Sequence, residues 1–186
     1  MRHLAKIMTI LIASAMLISF AGCNDTIVIP ATEETTVETK GRPNPWLIDS
    51  TVEEAVTHAG IDKFEIAPDI KIGEETIHLQ TIKSTEGILE EEYYYGAVRL
   101  IVRKGKATAV KNKEDITGDF NSYLKIWDCK IDGKMVHCKG ERDDAATVSY
   151  WEDGDYLYAV MAYGEGGDTG YGLNMEELSL FVKSMR

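Results

Sequence analysis

The chain has 186 residues, with 31 acidic and 20 basic side chains and a formal net charge of −11 at pH 7. A chain this acidic repels the phosphates of nucleic acids and anionic lipid headgroups, so the composition argues against a nucleic-acid partner. The length suits one ordinary domain with a terminal extension.

Residues 1–22 are predicted to be a signal peptide. Arg2, His3 and Lys6 make its start positive, and an apolar run of 14 residues follows from position 7 to position 20. This run is too short to span a bilayer as a permanent helix, but it suits the hydrophobic part of a secretory signal.

The end of this segment, Phe20-Ala21-Gly22-Cys23, resembles the lipobox of bacterial lipoproteins. The resemblance implies cleavage before Cys23 and lipidation of Cys23, which would anchor the chain to the outer face of the cytoplasmic membrane. The alternative is an ordinary secretory signal that ends in these residues. A chain that begins at Cys23 keeps 18 basic and 31 acidic side chains, a net charge of −13, so the lipid rather than charge would hold it at the membrane.

Residues 23–45 are predicted to be the lipidated cysteine and a flexible tether. The segment is rich in Thr, Glu and Pro and has few large apolar side chains after Ile29, so it cannot build a core. As a flexible coil it has an r.m.s. length of about 25 Å. Residues 46–186 then form a single domain.

A helix is predicted at each end of this domain. The first covers residues 51–59, where Ser50 and Glu53 form a capping box. The second covers residues 175–185, where Asn174 caps the helix and Glu177 completes the box. Both helices carry an apolar stripe at helical spacing.

Between the helices the hydrophobic period changes to two, which predicts strands at 76–84, 88–94, 97–104, 123–129, 134–139, 145–151 and 156–163. The second and third strands are predicted to pair across Tyr95-Gly96, which places Glu92 opposite Arg99. The predicted fold class is α+β: a meandering antiparallel β-sheet packed on one face by the N-terminal and the C-terminal helix.

Glu91 is the unusual residue of these strands, because alternation places it in an apolar stripe with Leu89 and Tyr93. Two interpretations are open. Either the carboxyl group is partly buried and has a raised pKa, or the strand register differs by one residue.

Cys129 and Cys138 are an even pair in a chain expected to be exported, and we predict a disulfide between them. They flank a hairpin. A loop at Gly133-Lys134 places the cysteines directly opposite each other, and a loop at Asp132-Gly133 makes them diagonal neighbours on one face. A disulfide fits either register, and two buried free thiols are the alternative. A metal site with His137 is disfavoured because His137 alternates to the other face.

The domain resembles an uncharacterised extracytoplasmic domain family of Gram-positive bacteria. The similarity runs from about residue 44 to the C-terminus and rests on these segments: Asn44-Pro45-Trp46, Tyr94-Tyr95-Gly96-Ala97 leading to Arg103, Glu114-Asp115-Ile116-Thr117-Gly118, Asp132-Gly133, Trp151 with Tyr158, and the capped C-terminal helix. The resemblance implies an architecture and an extracytoplasmic location. It implies no activity.

No catalytic motif is found. The glycine-rich segment 164–172 has no Lys-Ser/Thr ending and carries Glu165 and Asp168, so it is interpreted as a connection rather than a phosphate loop. The histidines have no zinc-binding spacing, and the clustered carboxylates lack the spacing of a calcium loop. No catalytic residue, cofactor or metal ligand is therefore predicted.

The predicted ligand surface is the mixed aromatic and hydroxyl face of the strands at 145–163. Its members share one strand face and are Thr147, Ser149, Trp151, Tyr156 and Tyr158. Such surfaces bind sugars, peptides or amphipathic ligands. The alternative is a strand pair buried on both faces.

These features predict a lipid-anchored, extracytoplasmic, non-catalytic binding or interaction domain. Its expected partners are the membrane, through the lipid on Cys23, and an envelope ligand or an exported protein. The alternatives are a cell-envelope hydrolase that uses acidic residues and a structural partner of a membrane protein complex.

Overall fold

A computed structural model describes residues 45–66 and 70–185. The described residues belong to one compact unit. The predicted signal peptide, Cys23 and nearly all of the tether lie outside the described residues. The elements are β1 Leu47–Asp49, α1 Val52–Ala59, β2 Lys71–Ile72, β3 Glu75–Thr76, β4 His78–Thr85, β5 Ile88–Tyr95, β6 Val98–Lys106, β7 Lys125–Ile131, β8 Lys134–Gly140, β9 Val148–Asp153, β10 Tyr156–Tyr163 and α2 Met175–Ser184.

Eight strands form one sheet in the order β1-β4-β5-β6-β10-β9-β8-β7, and all of its pairs are antiparallel. The predicted class, a mostly antiparallel sheet with two helices, is confirmed. The sheet is not one continuous meander, because the chain leaves β6 and crosses the sheet before β7 begins at the far edge. Two short 3₁₀ helices, Ala107–Ala109 and Lys113–Thr117, lie in this crossing segment.

Both helices begin at side-chain caps. Asn174 accepts a hydrogen bond from the Glu177 amide at 3.0 Å, and the Glu177 carboxylate accepts one from the Asn174 amide at 2.9 Å, so the predicted box of α2 is confirmed. In α1 the cap is Thr51, one residue later than predicted, and its hydroxyl accepts from the Glu54 amide at 3.1 Å.

Both faces of the sheet are covered. On one face, which we call the helix face, buried side chains of α1 and α2 share a cluster with strand residues that include Leu100, Val102 and Val160. On the opposite face the 3₁₀ helix Lys113–Thr117 covers a second cluster: Ile101, Ile116, Val148, Leu157, Ala159 and Met161. Charged side chains on the central strands therefore lie in a largely dehydrated environment.

The opposite face carries a network of ion pairs on β4, β5 and β6. Arg99 donates to both oxygens of Glu92, at 2.8 and 3.0 Å, and these bonds lower the pKa of Glu92 to about 2, although burial opposes the shift. Lys83 bridges Glu90 and Glu92 at 3.1 and 2.9 Å. The β5–β6 turn is at residues 96–97, so Arg99 is opposite Tyr94 and diagonal to Glu92 rather than opposite it. The observed register differs from the predicted one by two residues. Because side chains alternate between faces with a period of two, each one still lies on its predicted face of the sheet.

Arg103 contacts residues from the start of the domain and from the crossing segment. Its Nη1 donates to the carbonyls of Ile116 and Thr117 at 3.0 and 2.6 Å, and its guanidinium lies 5.2 Å from the centre of the Trp46 ring. Gly118 has φ +57°, and a Cβ there would lie 2.6 Å from Nη1. These contacts therefore hold the start of the domain, at Trp46, and the crossing segment against the sheet.

Glu91 lies on the helix face between Ile82 and Val102 and is 4% exposed. Burial raises its pKa to about 7, although the Tyr93 hydroxyl donates a hydrogen bond to the carboxylate and opposes this shift. The first of the two interpretations, a buried carboxyl group in the predicted stripe, is therefore confirmed. Ionising this group inside the core costs stability.

We predict that Glu91→Gln removes a pH dependence of the free energy of unfolding. A pKa near 7 in the folded state and near 4.5 in the unfolded state means that the native protein loses stability as pH rises between these values, by about 3 kcal/mol in all. Denaturant unfolding at pH 5 and at pH 8.5 measures the free energy of unfolding of the variant relative to the native protein. This difference should be more favourable to the variant at pH 8.5 than at pH 5, by about 3 kcal/mol. A difference that does not change with pH would contradict the burial of an ionisable Glu91.

Candidate functional site

The candidate site forms where β6 and β10 pair, at the end of the helix face. Tyr158 lies directly opposite Lys104, and Tyr156 is the next residue of β10 on the same face. The pairing joins strands that are far apart in sequence. It therefore places a lysine of one hairpin beside two tyrosines of another.

Lys104 is buried, with 2% of its side chain exposed. Its ammonium group donates to Asp62 Oδ1 at 2.8 Å and to the Lys63 carbonyl at 2.6 Å. It also lies 4.1 Å from the ring centre of Tyr156 and 5.7 Å from that of Tyr158. The hydrogen bond from Lys104 lowers the pKa of Asp62, although the small desolvation of this exposed carboxylate opposes the shift. The ammonium is thus compensated by a carboxylate, a carbonyl and two π-faces.

A cavity of about 420 Å³ opens beside these residues, a size suited to a small ligand. Five separate parts of the chain line it: the segment after α1, the end of β6, the β7–β8 hairpin, the β9–β10 hairpin and the end of α2. Its charged side chains are four lysines and three aspartates: Lys63, Lys104, Lys134, Lys183, Asp62, Asp132 and Asp153. Both signs of charge therefore face one space in a chain that is strongly acidic overall.

Some of these charges are already paired. Lys134 Nζ lies 3.0 Å from Asp153 Oδ2 and donates to the Val182 carbonyl at 3.2 Å, which ties the two turns to α2. Among the described residues, the Lys183 ammonium, the Asp132 carboxylate and the Tyr158 hydroxyl form no direct hydrogen bond or ion pair. Burial raises the pKa of Tyr158 to about 12, so its hydroxyl stays protonated and can donate.

The structure brings together only two of the five residues of the predicted ligand surface at this cavity, Tyr156 and Tyr158. Tyr156 is half-buried, whereas Thr147, Ser149, Trp151 and Tyr158 are buried. The prediction of an open aromatic surface is therefore wrong. The alternative, a strand pair buried on both faces, is confirmed, because Leu157, Ala159 and Met161 fill the opposite face.

The buried members of the predicted surface have structural contacts. The Thr147 hydroxyl lies 2.8 Å from the Thr169 carbonyl and 2.6 Å from the Tyr171 carbonyl, so it fastens the glycine-rich segment before α2. The Trp151 ring stacks on Tyr158 with 5.5 Å between ring centres and 8° between planes. Trp151 therefore supports the cavity wall from beneath.

The sequence alone did not identify Lys104 and Asp62 as site residues, although one signal pointed to Lys104. It continues the inward-facing series of Leu100 and Val102 in a predicted strand. A lysine at such a position must find a partner or reach water. Nothing local indicated Asp62, which lies 42 residues earlier in the chain.

A second polar contact joins α1 to the edge strand β1. Asp49 Oδ1 lies 2.5 Å from His58 Nδ1, the Asp49 side chain is 1% exposed, and its Oδ2 has no partner among the described residues. We interpret this pair as a structural link between α1 and the sheet. Within the described part of the chain, no three histidine, cysteine or acidic side chains are placed to hold a metal ion.

The cysteine hairpin turns at Asp132-Gly133, both with positive φ (49° and 82°), which selects the diagonal register. The two sulfur atoms lie 3.7 Å apart as free thiols. Burial raises the pKa of both thiols. The disulfide stays a prediction.

We predict that Asp62→Ala destabilises the protein by about 2 kcal/mol, because the buried Lys104 ammonium loses its carboxylate. Glu65→Ala is the matched control. It removes an equally exposed carboxylate from the same segment, but the partner there, Lys63, is itself exposed and lies 3.8 Å away. The control should change the free energy of unfolding by less than about 0.5 kcal/mol. Equal effects in denaturant unfolding would contradict the role of Asp62.

We predict that Cys129 and Cys138 form a disulfide when the chain folds in an oxidising environment. Alkylation followed by mass spectrometry should then modify neither residue unless a reductant is added. Closing a loop of this size should stabilise the fold by about 2–3 kcal/mol, so the reductant should lower Tm. Alkylation of both thiols in the untreated, denatured protein would contradict the disulfide.

Two further findings bear on identity. No helix within residues 45–66 and 70–185 is both long and apolar enough to cross a membrane. Comparison of the chain with protein-family models, with curated proteins and with solved structures gave no match. The chain's chemistry must therefore be argued from its own residues.

Proposed function

We propose that this chain is a lipid-anchored, extracytoplasmic binding domain whose small polar ligand occupies the cavity beside Lys104. The lipobox at residues 20–23 supports the anchor, and the tether would hold the domain within reach of the envelope.

The observation that carries the binding role is the buried Lys104 at the wall of a polar cavity. Burying a lysine and pairing it with a carboxylate adds little stability compared with an apolar side chain of similar volume, so core packing alone gives no reason for a lysine here. Polar groups from five parts of the chain converge on the same space. Convergent polar groups in a concave site are the usual arrangement of a ligand pocket.

The hydrolase alternative is less well supported. It needs two carboxylates in one cleft, one of them with a raised pKa. Among residues 45–66 and 70–185 the carboxyl group with a raised pKa is Glu91, which is buried on the helix face and does not line the cavity. Asp62, which does line it, has a lowered pKa. These two observations favour binding over acid catalysis.

One observation favours a second role, contact with a protein partner. Phe120, Leu124 and Ile126 are 95%, 79% and 73% exposed in one short segment. This segment is held in place by Asp119, which accepts hydrogen bonds from the hydroxyls of Tyr123 and Tyr163. Large apolar side chains on an anchored loop are typical of interaction surfaces.

Thermal unfolding of the full-length chain in detergent tests the binding role. The panel contains short peptides, oligosaccharides and inorganic phosphate. A ligand at about one hundred times its Kd adds about 2.7 kcal/mol and raises Tm by several degrees. Lys183→Ala should abolish the shift, whereas Lys130→Ala, an exposed lysine on the edge strand β7, should preserve it. No shift with any probe, or an equal shift in the Lys183→Ala variant, would contradict the proposal.

A further inference from the structure

The cavity beside Lys104 offers unpaired groups of both charges. Lys183 supplies an ammonium, Asp132 a carboxylate and Tyr158 a hydroxyl, and within the described residues none of the three has a direct partner. Lys183 belongs to α2, and Asp132 belongs to the β7–β8 turn. These groups therefore come from different elements that the fold brings to one space.

We propose that the cavity binds a zwitterion, the free end of a short peptide or amino acid, with its carboxylate at Lys183 and Tyr158 and its ammonium at Asp132. This inference rests on the proposed function of the same cavity. It names the chemical class of the ligand.

The ring faces argue against a sugar held by aromatic stacking, which an open tyrosine surface would favour. Tyr158 has Trp151 stacked on it and the Lys104 ammonium near its ring. Tyr156 has the same ammonium 4.1 Å from its ring centre. Because both tyrosine rings already contact other side chains of the protein, ligand recognition in this cavity depends on its polar groups.

The charges argue against a ligand of one sign. A simple anion would approach Asp62, Asp132 and Asp153, and a simple cation would approach the lysines. Burying a charge beside a like charge costs binding free energy. A ligand with separate positive and negative ends avoids both costs if each end meets its opposite.

Tyr158 adds directionality to the carboxylate end. Its hydroxyl stays protonated at neutral pH because burial raises its pKa to about 12. It can therefore donate to a carboxylate beside the Lys183 ammonium, and hydrogen bonds to ionised acceptors are the stronger kind. The stacked Trp151 holds the ring in position.

Calorimetry on the full-length chain in detergent tests the inference with three dipeptide probes. Glycylglycine has both charged ends, N-acetylglycylglycine lacks the ammonium, and glycylglycinamide lacks the carboxylate. Glycylglycine should bind, and each blocked form should bind about tenfold or more weakly. Inorganic phosphate and glucose serve as probes of the anion and sugar alternatives.

Two variants assign the ends. Lys183→Ala should lower the affinity for glycylglycine to that for glycylglycinamide. The affinity for glycylglycinamide itself should not change. Asp132→Asn should remove the preference for glycylglycine over N-acetylglycylglycine. The variant should still fold, because asparagine tolerates the positive φ of 49° at this turn position. Lys130→Ala should leave all three affinities unchanged.

The outcomes separate the two proposals. Equal binding of glycylglycine and both blocked forms, or binding of phosphate or glucose in place of glycylglycine, would overturn the zwitterion inference and leave the binding role standing. No dipeptide binding together with no thermal shift across the panel would overturn both. Affinity changes confined to the predicted end of the dipeptide in each variant would support the inference.

Discussion

Strand β6 runs through the middle of a sheet that is covered on both faces, and three of its four cationic side chains, Arg99, Arg103 and Lys104, are paired with carboxylates. Arg99 and Arg103 point to the opposite face, and Lys104 points to the helix face. Arg103 and Lys104 are largely removed from water, and such charges must be paired inside the protein, or the fold loses several kcal/mol for each of them. Arg99 is half-exposed and pairs with Glu92. Pairing these three cations is the requirement around which the other elements are arranged.

The two faces meet this requirement differently. On the opposite face the arginines are neutralised by Glu90 and Glu92 from the neighbouring strand, within a network that also holds the crossing segment. On the helix face Lys104 meets Asp62 from a segment outside the sheet. The first arrangement also borders a cavity, of about 820 Å³, but Lys83, Glu92 and Arg99, which line it, are paired with one another. The second opens a cavity whose other polar groups are partly unpaired, and this difference is why we place the ligand on the helix face.

Much of the architecture follows from local sequence. The Asn174–Glu177 box, the Asp132-Gly133 turn and the alternation of the strands are short-range signals, and the structure contains all of them. The β6–β10 pairing joins segments about fifty residues apart, and no local signal specifies it. The crossing segment between β6 and β7 was also unpredicted, because its 3₁₀ helices carry no regular period.

The aromatic strands show why the site was predicted only in part. Alternation correctly grouped Trp151, Tyr156 and Tyr158 on one face, but it cannot tell whether a helix covers that face. Whether such a surface is buried depends on distant elements, here α2. The position of Asp62 beside Lys104 depends on tertiary packing in the same way. The burial of Glu91 could be anticipated from the sequence, because an acidic residue in the apolar stripe of a strand is unusual.

The most direct test of the central claim is an NMR titration of the full-length chain with glycylglycine, with ¹³C-labelled tyrosine rings assigned by Tyr→Phe variants. If the ligand binds beside Lys104, the signals of Tyr156 and Tyr158 should shift saturably. The signals of Tyr94 and Tyr163 should not change, because these tyrosines lie on the opposite face. Shifts at Tyr94 or Tyr163 with unchanged signals at Tyr156 and Tyr158 would contradict this claim.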